Sequence, residues 1–238
     1  MARLTRHQLK TDELSTRLAV FQEFFLQNQK KIITGTAVVA VALGVVLGGF
    51  FFVSSRQTRA SYAFARALAT FHATVGPPPP PNSGPSAPRF PTAAEKYQQA
   101  YKQFTEVAGR YSWFSQGDFA RYYAALCERE LGKSPEAEKD LSAIAGGRGR
   151  ELAALAQMAL AGLYEQTGRN EQAEKLYREL VNHPTDIVPK ATVQLALAEL
   201  LQKTKPAEAA ELYKKIQTEY PGLAAGSEAF KMLQTGSQ

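Results

Sequence analysis

The sequence predicts an all-α protein: a single N-terminal transmembrane helix followed by a solenoid of paired helices. Three observations carry that expectation. Ile32 to Val53 is a run of 22 residues without a charge. A proline-rich segment, Gly76 to Pro91, then interrupts the chain. Beyond it, one pattern of small and large apolar residues comes round four times. Composition agrees: 238 residues, 45% hydrophobic and 21% charged, suit one domain with an appendage or two small domains, and are too apolar for a disordered chain. Cys127 is the only cysteine, so no internal disulfide holds the fold.

The net charge of +6 invites a nucleic-acid reading, and its distribution argues against one. Residues 1–31 carry six Lys/Arg and three Asp/Glu, residues 32–91 four Arg and no acid, and residues 92–238 eighteen Lys/Arg against nineteen Asp/Glu. The large C-terminal part is therefore neutral, whereas a DNA or RNA binder gathers its basic residues on one face. The excess lies around the apolar run instead.

Taken from the N-terminus, residues 1–31 read as a basic cytosolic tail. Leu14, Leu18, Phe21 and Phe25 recur at helical spacing, with Thr11 or Asp12 as the candidate cap, and predict a short amphipathic helix on the inner leaflet. The run 32–53 rises roughly 33 Å as a helix, against a hydrocarbon core of ~30 Å. It is too long, and begins too far from the N-terminus, for a cleaved signal peptide, so an uncleaved anchor is expected. Within about 20 residues of each end the basic count ties at three and three. The longer basic tail favours a cytoplasmic N-terminus and, in a bacterium, a periplasmic C-terminal domain at the inner membrane. Thr36, Ala40, Gly44 and Gly48 repeat every four residues and form a candidate helix-packing stripe.

Residues 54–75, with Tyr62, Phe64, Leu68 and Phe71, read as a helix continuing from the membrane and as a candidate first helix of the repeat domain. Eight of the fifteen residues from Pro77 to Pro91 are proline. Such a run leans to polyproline II and reads as a loop or spacer, with an SH3-type ligand as the alternative. From residue 92 the repeat begins. Ala100-x3-Phe104-x2-Val107, Ala137-x3-Leu141-x2-Ile144, Ala173-x3-Tyr177-x2-Leu180 and Ala209-x3-Tyr213-x2-Ile216 share one form, and the leading alanines are 37, 36 and 36 residues apart. Ala124-Ala125-x-Cys127, Leu160-Ala161-x-Leu163 and Leu197-Ala198-x-Leu200 precede the last three. Gly132 and Gly168 mark turns, and Lys205-Pro206 replaces the glycine turn in the third unit. Each unit is then two amphipathic helices that bury their apolar faces only by stacking on neighbours.

On these residues the region 92–238 resembles tetratricopeptide repeats. The likeness is strongest over 154–187, where Ala161, Ala173 and Tyr177 match the small and aromatic positions. The departures are a unit longer than the family's 34 residues, no tryptophan opening a unit, and Glu128 where the next unit has Tyr164. The layout of basic tail, one span and C-terminal repeats resembles the ancillary subunit of the SecYEG translocon, the YfgM-like group. That resemblance implies a periplasmic scaffold linking the translocon to chaperones, with translocon subunits or periplasmic chaperones as partners.

No catalytic, cofactor or metal motif stands out. His7, His72 and His183 lack ligand-spaced companions, and no phosphate loop or nucleophile elbow is present. Gly146 to Arg150 reads as an inter-unit turn, and Cys127 as a small packed apolar residue in the slot of Leu163 and Leu200. Trp113 and Phe114 are either a cap of the stack or an aromatic anchor. The expected role is binding of a protein partner, without nucleic acid, small-molecule substrate, cofactor or catalysis. A cytosol-facing adaptor, an envelope-assembly or cell-division coordinator, and an enzyme or cell-wall-binding module are the alternatives. In tetratricopeptide domains the first helix of each pair lines the groove, and the resemblance assigns Phe119, Tyr122, Leu126 and Arg129, then Met158, Glu165 and Gln166, then Leu195, Glu199 and Gln202 to it.

Overall fold

A computed structural model describes residues 28–77 and 88–235. The expected amphipathic helix between Thr11 and Phe25, and the middle of the proline segment, lie outside the described residues. The chain divides into two units, Met1–Thr58 and Arg59–Gln238. The first unit holds most of helix α1 (Gln29–Phe71). That helix is long and apolar enough to cross a membrane. Val38, Leu43, Val46, Phe50 and Phe51 project outward from it.

Helix α1 ends at Phe71, short of the expected residue 75. Thr74–Val75 is instead strand β1, paired in parallel with strand β2, Arg89–Phe90. Thr74 faces Arg89, Val75 faces Phe90, and the Gly76 N–H donates to the Phe90 carbonyl at 3.0 Å. β-Branched residues favour this extended pairing over a last helical turn. The pairing joins the two ends of the proline segment, which therefore closes a loop and does not act as an extended spacer.

The rest of the second unit is helical: α2 (Ala93–Arg110), α3 (Ser115–Glu130), α4 (Ser134–Ala145), α5 (Arg150–Gln166), α6 (Asn170–Asn182), α7 (Lys190–Thr204), α8 (Pro206–Glu219) and α9 (Ala224–Thr235). Thr92 caps α2, its Oγ1 accepting from the Glu95 N–H at 3.2 Å. Pro135 and Pro206 sit in the first turns of α4 and α8, where no amide hydrogen is required. The turns expected at Gly132 and Gly168 are Schellman closures. Both glycines have positive φ, 75° and 76°. Gly132 and Lys133 donate to the carbonyls of Arg129 and Glu128, and Gly168 and Arg169 do the same to Glu165 and Tyr164.

The repeat pattern becomes the core. Ala100, Ala137, Ala173 and Ala209 are buried, as are Phe104, Leu141, Tyr177 and Tyr213 four residues on. The facing helices bury Ala125 with Cys127, Ala161 with Leu163, and Ala198 with Leu200. Within this unit the last turns of α1 pack on α2 and α3. Ala60 and Ala67 join Ala100, Phe104, Val107 and Cys127 in one cluster. Phe104 stacks on Tyr123 at 5.2 Å, and Phe71 meets Tyr123 edge-on at 5.4 Å. Burying each such ring contributes ~1.5–3 kcal/mol.

Two close approaches fix how successive pairs meet. A Cβ on Gly117, in the first turn of α3, would overlap the Tyr111 carbonyl; one on Gly226, in the first turn of α9, would overlap the Tyr220 carbonyl. Helix α9 thus repeats the entry of α3 and takes the place of a first helix at the end of the stack. Gly117→Ala and Gly226→Ala should each destabilise the domain by ~1–3 kcal/mol, because backbone must move. Gly162→Ala, in the interior of α5 where a Cβ meets nothing, should stabilise by ~0.5–1 kcal/mol. Urea melts of the detergent-solubilised chain, followed by helical circular dichroism, check all three; equal effects at the three sites would refute the packing account.

Candidate protein-binding groove

Helices α3, α5 and α7 are the first members of their pairs, and the repeat brings equivalent positions into rows. Tyr122, Met158 and Leu195 form one row; Arg129, Glu165 and Gln202 form another. Leu126, Gly162 and Glu199 lie between them. Residues three and four apart share a helix face, so the rows run along one side of the stack. The ten candidates do not share one environment. Tyr122 and Leu126 are only 9% and 8% exposed, because they pack α3 onto α5 beside Ala156, Ala159 and Leu160. Met158 and Leu195 are half-buried against the cluster around Ala161, Leu197 and Ala198. Phe119, Arg129 and Glu165 are half-buried, while Gln166, Glu199 and Gln202 are exposed. The apolar candidates therefore form the floor, and the polar ones form the accessible face.

The groove is acidic. Partial desolvation by its neighbours raises the Glu199 carboxyl above the usual carboxylate range although the residue is exposed overall, and the charges of Glu165 and then Glu228 add to the rise. Glu228, on α9, holds the repeat position of Phe119 and closes the groove at its C-terminal end. Burial pushes the Tyr213 hydroxyl up to about 12, with Glu199 and Glu228 contributing. The Tyr177 hydroxyl donates to Glu165 Oε1 at 2.5 Å, and the Tyr213 hydroxyl donates to Gln202 Oε1 at 3.4 Å. Arg129 is engaged by Glu130 at 2.9 Å. Gln202, Tyr213, Met232 and Leu233 also line an indentation of about 570 Å³ between α8 and α9.

Sequence reasoning missed Tyr177, Tyr213 and Glu228 as groove residues. The signal was present in the first two: the last two units carry tyrosine where the earlier ones carry Phe104 and Leu141. A ring at that position fills the core, and only a tyrosine extends a hydroxyl through it to the adjacent helix. Among the described residues no group of histidine, cysteine or carboxylate side chains is arranged to hold a metal. Gly146 to Arg150 is an exposed turn, from which Arg150 donates to the Pro184 carbonyl at 2.9 Å and ties successive inter-unit loops together. His183 caps the end of α6, and His72 meets the Phe71 ring edge at 5.2 Å.

Glu128 is the polar exception inside the stack. It is buried at the position of Tyr164 and Leu201, and its Oε2 has no partner. Burial raises its carboxyl above the usual range, Asp140 raises it further, and the Tyr101 hydroxyl offsets part of this. The folded state therefore favours the protonated acid. Stability associated with this group is fully present below the ordinary carboxylate pKa and is lost as pH rises through the raised value. Glu128→Gln should be more stable than the parent chain at pH 7, with the difference vanishing near pH ~4. Paired urea melts at the two pH values check it; a variant less stable at pH 7 would refute the assignment.

A family model and two solved structures match parts of the chain. A tetratricopeptide-repeat family model matches residues 192–222, which span α7 and α8. The match falls on the unit after the one in which the sequence likeness is strongest, and both units bury the same positions. Two solved structures resemble the fold. They are a putative kinesin light chain with nearly identical TPR-like repeats from Podosopora anserina and a point variant of that same protein, 17% and 16% identical, each with a TM-score of 0.49. The superposition covers 58% of this chain and 76% of each of theirs. No curated protein sequence matches the chain. The family model therefore falls on the third complete pair of this tetratricopeptide-like stack of helices.

Proposed function

We propose that the chain is a single-pass membrane scaffold that holds a protein partner in the groove of its repeat domain and makes or breaks no bond. The observation that carries this reading is the division of labour in the repeat. The stacking positions are consumed by the core, while Gln166, Glu199 and Gln202 on α5 and α7 are left to solvent, with half-buried Glu165 beside them, over an apolar floor. An acidic face above Met158 and Leu195 suits a basic amphipathic segment, whose apolar residues would reach the floor and whose cations would meet the carboxylates. The apolar length of α1 supports the anchor, and within that reading Thr36, Ala40, Gly44 and Gly48 present the face on which a second membrane helix approaches.

The layout resemblance supports a finer assignment: the bacterial inner membrane, a cytoplasmic N-terminus, a periplasmic repeat domain, and work beside the translocon or its chaperones. The equal basic count near the two ends of the span favours keeping the cytosol-facing adaptor as the second reading.

Two measurements test these statements. A photo-crosslinker placed in turn at Gln166, Glu199 and Gln202 should capture one protein in native membranes. Capture only from positions in the span would remove the groove. A cysteine replacing exposed Lys231 should react with a membrane-impermeant maleimide in intact cells if the domain is periplasmic, and should be shielded if it faces the cytosol. Cys127 gives no background, because it is buried and burial, then Glu130 and Glu128, push its thiol up to about 12.

A further inference from the structure

Trp113 is the only tryptophan of the chain, and it is 96% exposed in the turn between α2 and α3. An indole is among the most costly side chains to leave in water, and its place here follows a regularity. Short connections make consecutive helices antiparallel, so every inter-unit loop of the second unit lies at one edge and every within-unit turn at the other. Exposed large apolar residues collect on the first edge. Besides Trp113, Ile187 between α6 and α7 is 48% exposed, and Leu223 between α8 and α9 is 53% exposed. At the opposite edge the glycine and proline turns around Lys133, Arg169 and Lys205 expose no large apolar side chain among the described residues, and the connection from α1 to α2 exposes Val75, which is engaged in the β1–β2 pairing.

The same edge is the one at which the chain enters the repeat domain. Gln116, three residues past Trp113, donates from Nε2 to Ser61 Oγ at 3.0 Å and ties the loop to the start of the unit. Ser61 follows Val53, the last residue of the apolar run, by eight residues in the sequence. Arg56 and Arg59 lie within this stretch and Arg66 follows it, and residues 32–91 contain no acid to oppose them. Arg148 adds an exposed cation at the next inter-unit loop. Tryptophan favours the boundary between hydrocarbon and headgroups, where its ring is shielded and its N–H stays hydrated, and arginine favours the phosphates beside it.

We propose that the inter-unit edge of the repeat domain rests in the headgroup layer of the bilayer that α1 crosses, with the Trp113 indole as its anchor. This rests on the membrane reading given above. The occupant is lipid. A protein partner or a second copy of the chain covering Trp113 is an outcome the test separates.

The single tryptophan is its own reporter. The full chain is reconstituted into nanodiscs of phosphatidylcholine and phosphatidylglycerol, with or without acyl-chain bromination. The expected results are emission shifted to shorter wavelength, quenching severalfold by brominated lipid, and weak quenching by acrylamide. A double variant, Trp113→Phe with Lys133→Trp, moves the reporter to the opposite edge and should show the reverse pattern. Lys203→Trp in the same Trp113→Phe background serves if the first variant loses helical circular dichroism. Emission of a water-exposed indole at Trp113 overturns the proposal. So does a shift that brominated lipid does not quench, which would mean cover by protein. Equal lipid quenching at both edges overturns it as well. Failure of the chain to enter nanodiscs at all would remove the membrane reading itself, and is distinguished from these by co-elution.

Discussion

The contact on which the repeat domain depends is that of small residues at helix crossings. Ala100, Ala137, Ala173 and Ala209 are buried, and Ala125, Ala161 and Ala198 are buried on the facing helices. A methyl group on each side lets two helices close to the short end of the ordinary 8–10 Å interaxial range. The larger residue one turn further fills the space beside the crossing: Phe104 stacks on Tyr123 of the next pair and Leu141 clusters with Ala156 and Leu160, while the Tyr177 and Tyr213 hydroxyls bond the first helix of their own pair. Closeness within a pair and interdigitation between pairs are therefore set by the same two positions. That is why one pair has no stability of its own and the stack does. A longer side chain at any of these alanines would separate two helices and leave the ring beyond them without a socket.

The two ends of the stack are finished differently. At the N-terminal end, the last turns of α1 supply the first helix, and aromatic rings from Phe64, Phe71, Phe104 and Tyr123 fill the space. At the C-terminal end, α9 enters as α3 does, over a glycine held against the preceding carbonyl, and no second helix follows it among the described residues. Between the ends, ion pairs tie neighbouring units: Arg169 to Glu138 at 2.7 Å, Arg178 to Glu208 at 2.5 Å, and Lys205 to Glu174 at 2.9 Å. These groups are partly exposed, so each adds little to stability. Their effect is on register, since each cation reaches across one specific turn or helix boundary.

Core and groove are also linked through Tyr177 and Tyr213. Each ring is buried as a packing residue, while each hydroxyl emerges beside Glu165 or Gln202. The polarity of this face is therefore anchored to side chains buried in the core. In the first complete pair, where Leu141 takes the ring's place, the groove face has no such hydroxyl, and Tyr122 and Leu126 fold into the core instead. The character of this face consequently changes along the stack, from apolar and closed near α3 to acidic and open near α7.

Helical periodicity, the alanine spacing and the turn glycines were legible in the chain because each is a local constraint. A positive φ demands Gly132, and a missing side chain at a crossing demands Ala173, whatever lies elsewhere. The uncharged run of residues 32–53 is local in the same sense, since its length alone matches a bilayer core. Other features belong to no segment. Whether Tyr122 lines a groove or fills a core depends on how near α5 comes to α3. Whether the proline segment spaces or closes depends on Thr74 and Val75 finding Arg89 and Phe90. The exposure of Trp113 at one edge with Ile187 and Leu223 depends on every helix reversing direction in turn. Periodicity reports which side of a helix is apolar, but only the distance between helices decides what that side touches.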